Sequence, residues 1–245
     1  MKTCIIIPSK QRAEVLAHNL YRHMPLFFNK YHDFDIIVLI EKEDYNDYKK
    51  IKLIDKLIIH PKSNMGGGYA KKRCVEVAEK FGYDCAIFMD DNVILQKNSK
   101  LNKLAELTSK YAWVSGWNKY YDFSKRIPHG NIFAMNIKKF IEAGNFDENI
   151  NFGDDLEMRM RLLLKNKKSI KNYKGVIFSK KRNEVGGLSS FKTPERLQFT
   201  ADYINKKYNI NAVRVNAKTF SITPITRNIK KNLHIEPITR VKGGK

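Results

Sequence analysis

The chain has 245 residues, 42% of them hydrophobic and 11% aromatic, and carries a formal charge of +21 from 46 Lys and Arg against 25 Asp and Glu. That length suits one α/β domain with a small appendage and can bury a full core. No apolar run approaches the ~20 residues of a membrane span, and the apolar run at the N-terminus is too short for a signal peptide. The cysteines Cys4, Cys74 and Cys85 are odd in number and scattered through apolar or helical contexts, which excludes a disulfide framework or a zinc site. They read as reduced core thiols, and the expected location is the cytoplasm. A charge surplus of this size favours a polyanionic partner: nucleic acid, an anionic membrane surface or an acidic polysaccharide.

In chain order, Lys2 to Pro8 is a β-branched run ending in Pro and predicts a first strand. Ser9 to Arg12 is a loop, and apolar residues at helical spacing (Val15, Leu16, Leu20, Met24) predict a helix over 13–28. Strands are predicted at 35–40 and 56–59, with a polar helix over 43–50 between them. Asn64-Met65-Gly66-Gly67-Gly68-Tyr69-Ala70-Lys71-Lys72-Arg73 follows and opens a helix. It lacks the spacing of a P-loop. Glycine lets backbone approach a ligand, and a helix N-terminus offers N–H groups to a phosphate. Lys71, Lys72 and Arg73 oppose the helix dipole there, which suits a bound anion.

Cys85 to Met89 is a short apolar run that ends in Asp90-Asp91-Asn92. It reads as a buried strand delivering carboxylates to the carboxyl edge of a sheet, where ligands of open α/β folds collect. Two acids and an amide can hold a hard cation such as Mg²⁺ or Mn²⁺; a polar turn is the plainer reading of the triplet taken alone. Four strands alternating with helices through residue 95 predict a mostly parallel sheet.

Beyond it, the sequence predicts a helix over 99–110, strands over 112–117 and 131–136, and a short helix over 137–143. Between the two strands lies a polar, aromatic link with Lys119, Tyr120, Tyr121, Phe123, Lys125, Arg126 and His129. Gly153-Asp154-Asp155 precedes an amphipathic helix whose first turn the acids would also cap. A strand over 176–178 leads into a basic, Gly-rich loop with Lys180, Lys181 and Arg182. Thr193-Pro194 then starts a helix to about 208. From Lys206 onward ten Lys or Arg, among them Arg227, Lys230 and Lys231, face one acid, Glu236; the segment from 223 reads as an extended basic tail. The expected division is 1–205, with a donor half to 95 and an acceptor half from 96, and a basic extension over 206–245.

Four stretches in order, Ile5-Ile6-Ile7-Pro8-Ser9 with Arg12, Asn64 to Arg73, Met89 to Val93, and Gly153 to Glu157, resemble a GT-A glycosyltransferase, a Rossmann-like α/β fold. Among the family-2-like enzymes the chain is most similar to phage glycosyltransferases of hypermodified DNA, which act on hydroxymethylated pyrimidines. The resemblance covers roughly residues 1–190. It implies a nucleotide-sugar donor, a UDP-sugar, lying along Pro8, Ser9 and Arg12, with Asn64, Gly67, Lys71 or Arg73 and Asp90 near its base, ribose or diphosphate. It implies a Mn²⁺ or Mg²⁺ ion at Asp90, Asp91 and Asn92, where Asn92 replaces the usual acid. It makes Asp155 the base for an inverting transfer, with Asp154 or Glu157 shaping its field.

The implied acceptor is double-stranded DNA carrying 5-hydroxymethylcytosine or a related base. Lys119, Lys125, Arg126, Lys180, Lys181, Arg182, Arg227, Lys230 and Lys231 are the expected DNA contacts, and the location is the host cytoplasm if the chain is phage-encoded. Three other readings stand beside this one: a polysaccharide or lipid-linked-sugar transferase, a nucleotidyltransferase, and a non-catalytic nucleic-acid binder on the same scaffold.

Overall fold

The computed structural model describes residues 1–29, 32–63, 66–118, 130–166, 168–180, 193–208, 213–216 and 221–224. β1 (Thr3–Pro8) and α1 (Ala13–Phe27) lead into the two-residue strands β2 (Phe28–Asn29) and β3 (His32–Asp33). β4 (Asp35–Ile40), the single-turn α2 (Tyr45–Tyr48), β5 (Lys56–Ile59), α3 (Gly67–Lys80), β6 (Cys85–Met89) and β7 (Val93–Leu95) follow. Then come α4 (Leu101–Glu106), β8 (Trp113–Asn118), β9 (Ile132–Asn136), α5 (Ile137–Glu142), α6 (Asp154–Lys165) and β10 (Ile170–Lys180).

The main sheet runs β5-β4-β1-β6-β9-β8-β10-β7. β5, β4, β1 and β6 are parallel neighbours, as are β8 and β10, whereas β9 is antiparallel to both its neighbours and β7 is antiparallel to β10. The expected mostly parallel α/β sheet is therefore present, with antiparallel strands in its second half. β1 shows why its sequence is a continuous apolar run: helices cover both faces. Ile5 and Ile7 join Leu16, Leu20 and Phe27 of α1 in one core. Cys4 and Ile6 join Cys74, Val75 and Ala78 of α3 in the other. All three cysteines are buried and free.

Strands added after β1 go outward on one side, to β4 and β5, and then β6 returns to the other side of β1. The carboxyl ends of β1 and β6 thus flank a topological switch point, where α/β sheets open a crevice. α1 holds the turn that leaves β6. Asn19 Nδ2 donates to the Asp91 carbonyl at 2.8 Å, and His23 Nε2 accepts the Leu95 N–H at 3.0 Å. Both side chains are buried on the face that also carries Leu16 and Leu20.

Some elements differ from expectation. The helix expected over 43–50 is a 3₁₀ turn, Lys42–Asp44, followed by α2 alone. The helix expected over 99–110 stops at Glu106 and tightens into a 3₁₀ turn, Leu107–Ser109. β7 is only three residues long and carries no alternation to detect. β10 has eleven residues rather than the expected three; its first half is polar, and its register shifts between Asn172 and Ile177.

The described residues from Thr193 onward group as a second unit, and the expected boundary at 205/206 lies within α7 (Pro194–Lys207). The Thr193 hydroxyl accepts from Arg196 N–H and caps that helix, as the sequence predicts. α7 packs on an unexpected hairpin of β11 (Val213–Asn216) and β12 (Ser221–Pro224). The expected tail beyond 224 lies outside the described residues.

Burial, with the Arg22 charge adding, pushes His23 down from 6.5 to about 4. The unfolded chain takes up this proton near pH 6.5 and the folded chain only near 4. The His23 contribution is therefore complete above pH 6.5 and is lost as pH falls towards 4. His23→Gln keeps an acceptor for Leu95 and removes the titration. The stability difference between wild type and variant should change by roughly 2–3 kcal/mol between about pH 7.5 and about pH 4.5, measured by urea unfolding.

Candidate active site

The switch point is closed by a buried polar network. Ser9 Oγ donates to Asp91 Oδ2 at 2.7 Å and shares a second hydrogen bond of 2.7 Å with the Tyr48 hydroxyl. That hydroxyl accepts the Arg12 backbone N–H at 3.0 Å, and Arg12 Nη1 stands 3.1 Å from Asp91 Oδ1. Burial pushes the Asp91 carboxyl up, with Ser9 and Arg12 working against the rise. Burial also takes the Tyr48 phenol to about 12. Pro8 ends β1 beside this network, half-buried. Ser9 and Arg12, expected along a nucleotide, hold Asp91 with their polar side chains.

Two of the three expected metal ligands, Asp90 and Asp91, have protein hydrogen-bond partners. Both Asp91 oxygens face Ser9 and Arg12, and Asn92 is 3% exposed. Asp90 is the half-buried member of the triplet, and its Oδ2 accepts from Asn131 Nδ2 at 2.7 Å. Among the described residues no group of three His, Cys, Asp or Glu side chains is placed to share an ion. The arrangement fits a cation held through one protein carboxylate of the triplet, Asp90. Mg²⁺ is commonly bound in that way.

The glycines at the start of α3 pack against another part of the chain. Gly67 N–H donates to the Asn151 carbonyl at 3.1 Å, and Gly68 N–H to that of Ile150 at 3.0 Å. A Cβ on Gly68 would lie 2.1 Å from the Asp147 carbonyl oxygen, and one on Gly67 would lie 2.9 Å from Asp154 Oδ1. The missing side chains let segment 147–154 lie against the helix, and its carbonyls take the N–H groups that a phosphate would need. The cations of that turn meet protein carboxylates too. Lys71 Nζ is 2.6 Å from Asp154, Lys72 is 2.9 Å from Glu148, and Arg73 pairs with Glu76.

α6 carries the acid pair. Gly153 precedes it with φ of 80°, a left-handed turn that suits glycine. Asp154 and Asp155 occupy the first turn, where the helix dipole favours anions. The Asp154 side chain is 6% exposed, against 25% for Asp155. Burial opposes the Lys71 charge, but Asp154, Asp155 and Asp90 together raise its pKa. Burial likewise raises the Asp154 carboxyl, with Lys71 working against it. Arg159 Nε donates to the Asp155 carbonyl at 2.7 Å and Nη2 to Asp155 Oδ2 at 3.1 Å. Glu157, expected to shape the field of the pair, is fully buried and takes Arg161 Nε at 3.1 Å.

Adjacent residues link the two acid centres. Asn131 holds Asp90, while a Cβ on Gly130 would lie 2.5 Å from Asp155 Oδ2. Sequence reasoning missed Tyr48, Asn131, Gly130 and Arg159; of these only Arg159, four residues after Asp155, had a legible spacing.

At the carboxyl ends of β4 and β5, Glu41 pairs with Lys10 at 2.7 Å, and the His60 ring stands 5.8 Å from that of Tyr69. Burial, with Arg73 adding, pushes His60 down to about 4. The Tyr69 hydroxyl, His60 Nδ1 and Arg73 Nε are buried without a hydrogen-bond partner among the described residues.

Trp113 is core, stacked on Phe133 at 3.7 Å, and Lys174 Nζ lies 4.8 Å over the Trp117 ring. Lys180 closes β10 opposite Val93. Asn64, Lys119, Tyr120, Tyr121, Phe123, Lys125, Arg126, His129, Lys181, Arg182, Arg227, Lys230 and Lys231 lie outside the described residues.

The family model described as TET-associated glycosyltransferase matches residues 3–184. No curated protein matches the chain in sequence. Among solved structures, the fold is similar to the mannosyltransferase PcManGT of Pyrobaculum calidifontis in complex with GDP-Man and Mn²⁺. The TM-score is 0.59 and the identity 13%, over 76% of this chain and 58% of that one. It is also similar to residues 1–349 of S. aureus TarS in complex with UDP-GlcNAc, with a TM-score of 0.57 and 13% identity over 85% of this chain and 73% of that one. At such identities the likeness shows the fold.

Lys71→Met leaves Asp154 buried without its counter-charge. It should lower stability by about 3–5 kcal/mol in urea unfolding, and removing both charges with Lys71→Met and Asp154→Leu should regain most of the loss.

Proposed function

The chain belongs to the TET-associated glycosyltransferase family, and on that premise we propose that it moves a sugar from a UDP-sugar to the hydroxymethyl group of a modified pyrimidine in DNA. It is a glycosyltransferase of GT-A-like fold. The favoured acceptor is 5-hydroxymethylcytosine in duplex DNA. The observation that carries the reading is the asymmetry of the acid pair: Asp154 is sealed against Lys71, while Asp155 is the more open, with one oxygen held by Arg159. A transferase needs one carboxylate that is exposed to the acceptor and fixed in orientation.

In this mechanism Asp155 takes the proton of the acceptor hydroxyl as its oxygen attacks the anomeric carbon. The sugar–phosphate bond breaks, and the electron pair leaves with the nucleoside diphosphate. Attack opposite the leaving group inverts the anomeric centre. A Mn²⁺ or Mg²⁺ ion, held through Asp90, would supply positive charge to the departing diphosphate. Asn131 fixes one oxygen of Asp90, and Gly130 leaves room for the Asp155 carboxylate beside it.

The donor base is proposed to lie by His60, Tyr69 and Arg73, whose three buried polar atoms suit a ligand with its own donors and acceptors. The neighbours' GDP-Man and UDP-GlcNAc support a nucleotide-sugar donor. The family's TET association and the +21 charge support a modified DNA base as acceptor. A cytoplasmic location is proposed with it.

The test combines purified protein, Mn²⁺ or Mg²⁺, a panel of nucleotide-sugars, and DNA bearing hydroxymethylcytosine, hydroxymethyluracil or plain cytosine. Digested nucleosides are then read by mass spectrometry. A hexose or pentose mass on one modified nucleoside is the expected result, with the anomer opposite to that of the donor. Donor consumption without labelled DNA would refute the acceptor while leaving the transferase chemistry in place. Asp155→Asn should lower kcat by about 10²–10⁴-fold with donor affinity unchanged, measured by single-turnover kinetics and calorimetry.

A further inference from the structure

Asp155 would be of little use as a base if its carboxylate could rotate. Three features around it restrict rotation, and none is part of the acid pair. Arg159, one helical turn along α6, is itself 5% exposed. Its guanidinium reaches back with two donors, Nε to the Asp155 carbonyl and Nη2 to Oδ2. The same guanidinium lies over the Trp113 ring, 5.5 Å from its centroid. Trp113 is fully buried and cannot yield: its Nε1 donates to Ser115 Oγ at 2.6 Å, and its ring stacks on Phe133. Gly130 also lies against this carboxylate, where a single added carbon would come within 2.5 Å of Oδ2.

We propose that Arg159, seated on Trp113, is the positioning residue that fixes the orientation of the Asp155 carboxylate for proton transfer. The inference rests on Asp155 acting as the base in the proposed reaction. A planar guanidinium suits the task for a geometric reason. Its nitrogens are fixed relative to one another, so a fork that grips the backbone carbonyl at one tine sets the other against Oδ2. Lysine has a single head and can satisfy one of those acceptors at a time. The cation–π contact and the tight packing beneath it hold the fork in plane. Arg159 touches neither donor nor acceptor in this scheme. Its removal should therefore affect turnover and spare donor binding.

The experiment uses Arg159→Met and Arg159→Lys in the full chain. Asp155 is partly exposed, so the Met variant leaves no fully buried charge and should fold. The expected result is a fall in kcat on the order of 10²-fold for Arg159→Met, the scale of a misplaced catalytic group, with donor affinity and acceptor KM unchanged. Arg159→Lys should recover about tenfold of that loss by restoring one of the two contacts. Unchanged kcat in Arg159→Met would overturn the proposal, as would a loss of donor affinity in step with kcat.

A crystal structure of Arg159→Met decides the point without turnover. Asp155 should leave its wild-type rotamer or split into two, and an unmoved carboxylate would refute the positioning role. If the wild-type protein modifies no acceptor, the proposed function fails on that assay. The crystallographic comparison then still decides the geometry.

Discussion

The site depends on holding two neighbouring carboxylates at one helix start, Asp154 buried and Asp155 partly exposed. Adjacent acids at one helix start repel each other, and burial penalises each charge. The dipole of α6 offsets part of that cost. Two cations offset the rest, and both stand on the same aromatic floor. Lys71 Nζ lies 5.3 Å from the Phe88 ring and 5.9 Å from that of Phe146, while Arg159 lies over Trp113. Phe88 stacks on Phe133 at 4.9 Å, and Phe133 stacks on Trp113. Each cation takes one acid, Lys71 the inner Asp154 and Arg159 the outer Asp155. The electron-rich faces beneath the cations favour their charge where water is excluded. The aromatic cluster is thus both core and electrostatic support.

A second buried network makes the same trade at the other acid centre. Asp91 looks like a ligand in sequence, yet it closes the crevice between β1 and β6 through Ser9, Arg12 and Tyr48. That leaves Asp90 at the edge of the turn, and Asn131 steadies it from the neighbouring antiparallel strand. β9 is therefore more than a continuation of the sheet. Its entry, Gly130-Asn131, brings residues adjacent in the chain to both Asp90 and Asp155. A single backbone step separates the contact to Asp90 from the contact to Asp155.

Much of this was legible in the sequence where burial is two-sided. β1, β4 and β6 are continuous apolar runs because helices cover both faces, and each was placed to within a residue. β7 and the first half of β10 were not: one is too short to show a period, and the other is polar. The same divide runs through the site. The acidic stretches at 90–92 and 154–155 stood out because charges at element ends are conspicuous. Their division into inner and outer members did not, because side-chain direction depends on partners far away in sequence, 79 positions in the case of Arg12 and Asp91. The glycines of α3 show a deeper limit. Close approach of a phosphate and close approach of a backbone both require a missing Cβ, so composition alone cannot tell Asn151 and Ile150 carbonyls from a ligand.

The charge of the chain reads differently once these pairs are known. The cations that sequence placed around a phosphate, Arg12, Lys71 and Arg73, each face a protein carboxylate, and so do Arg159 and Arg161. Charge matching within this centre offsets part of the cost of placing the acid pair there. The surplus positive charge must then come largely from other residues. Part of it is concentrated beyond Thr193, where eleven Lys or Arg stand against three acids. A centre with internally matched charges is insulated from salt, because buried pairs are screened far less than exposed ones. Surplus surface charge is fully subject to screening, and binding of a polyanion through it weakens steeply as salt rises. Under the proposed function, grip on a polyanionic acceptor and chemistry on its hydroxyl would draw on different charges of the same chain.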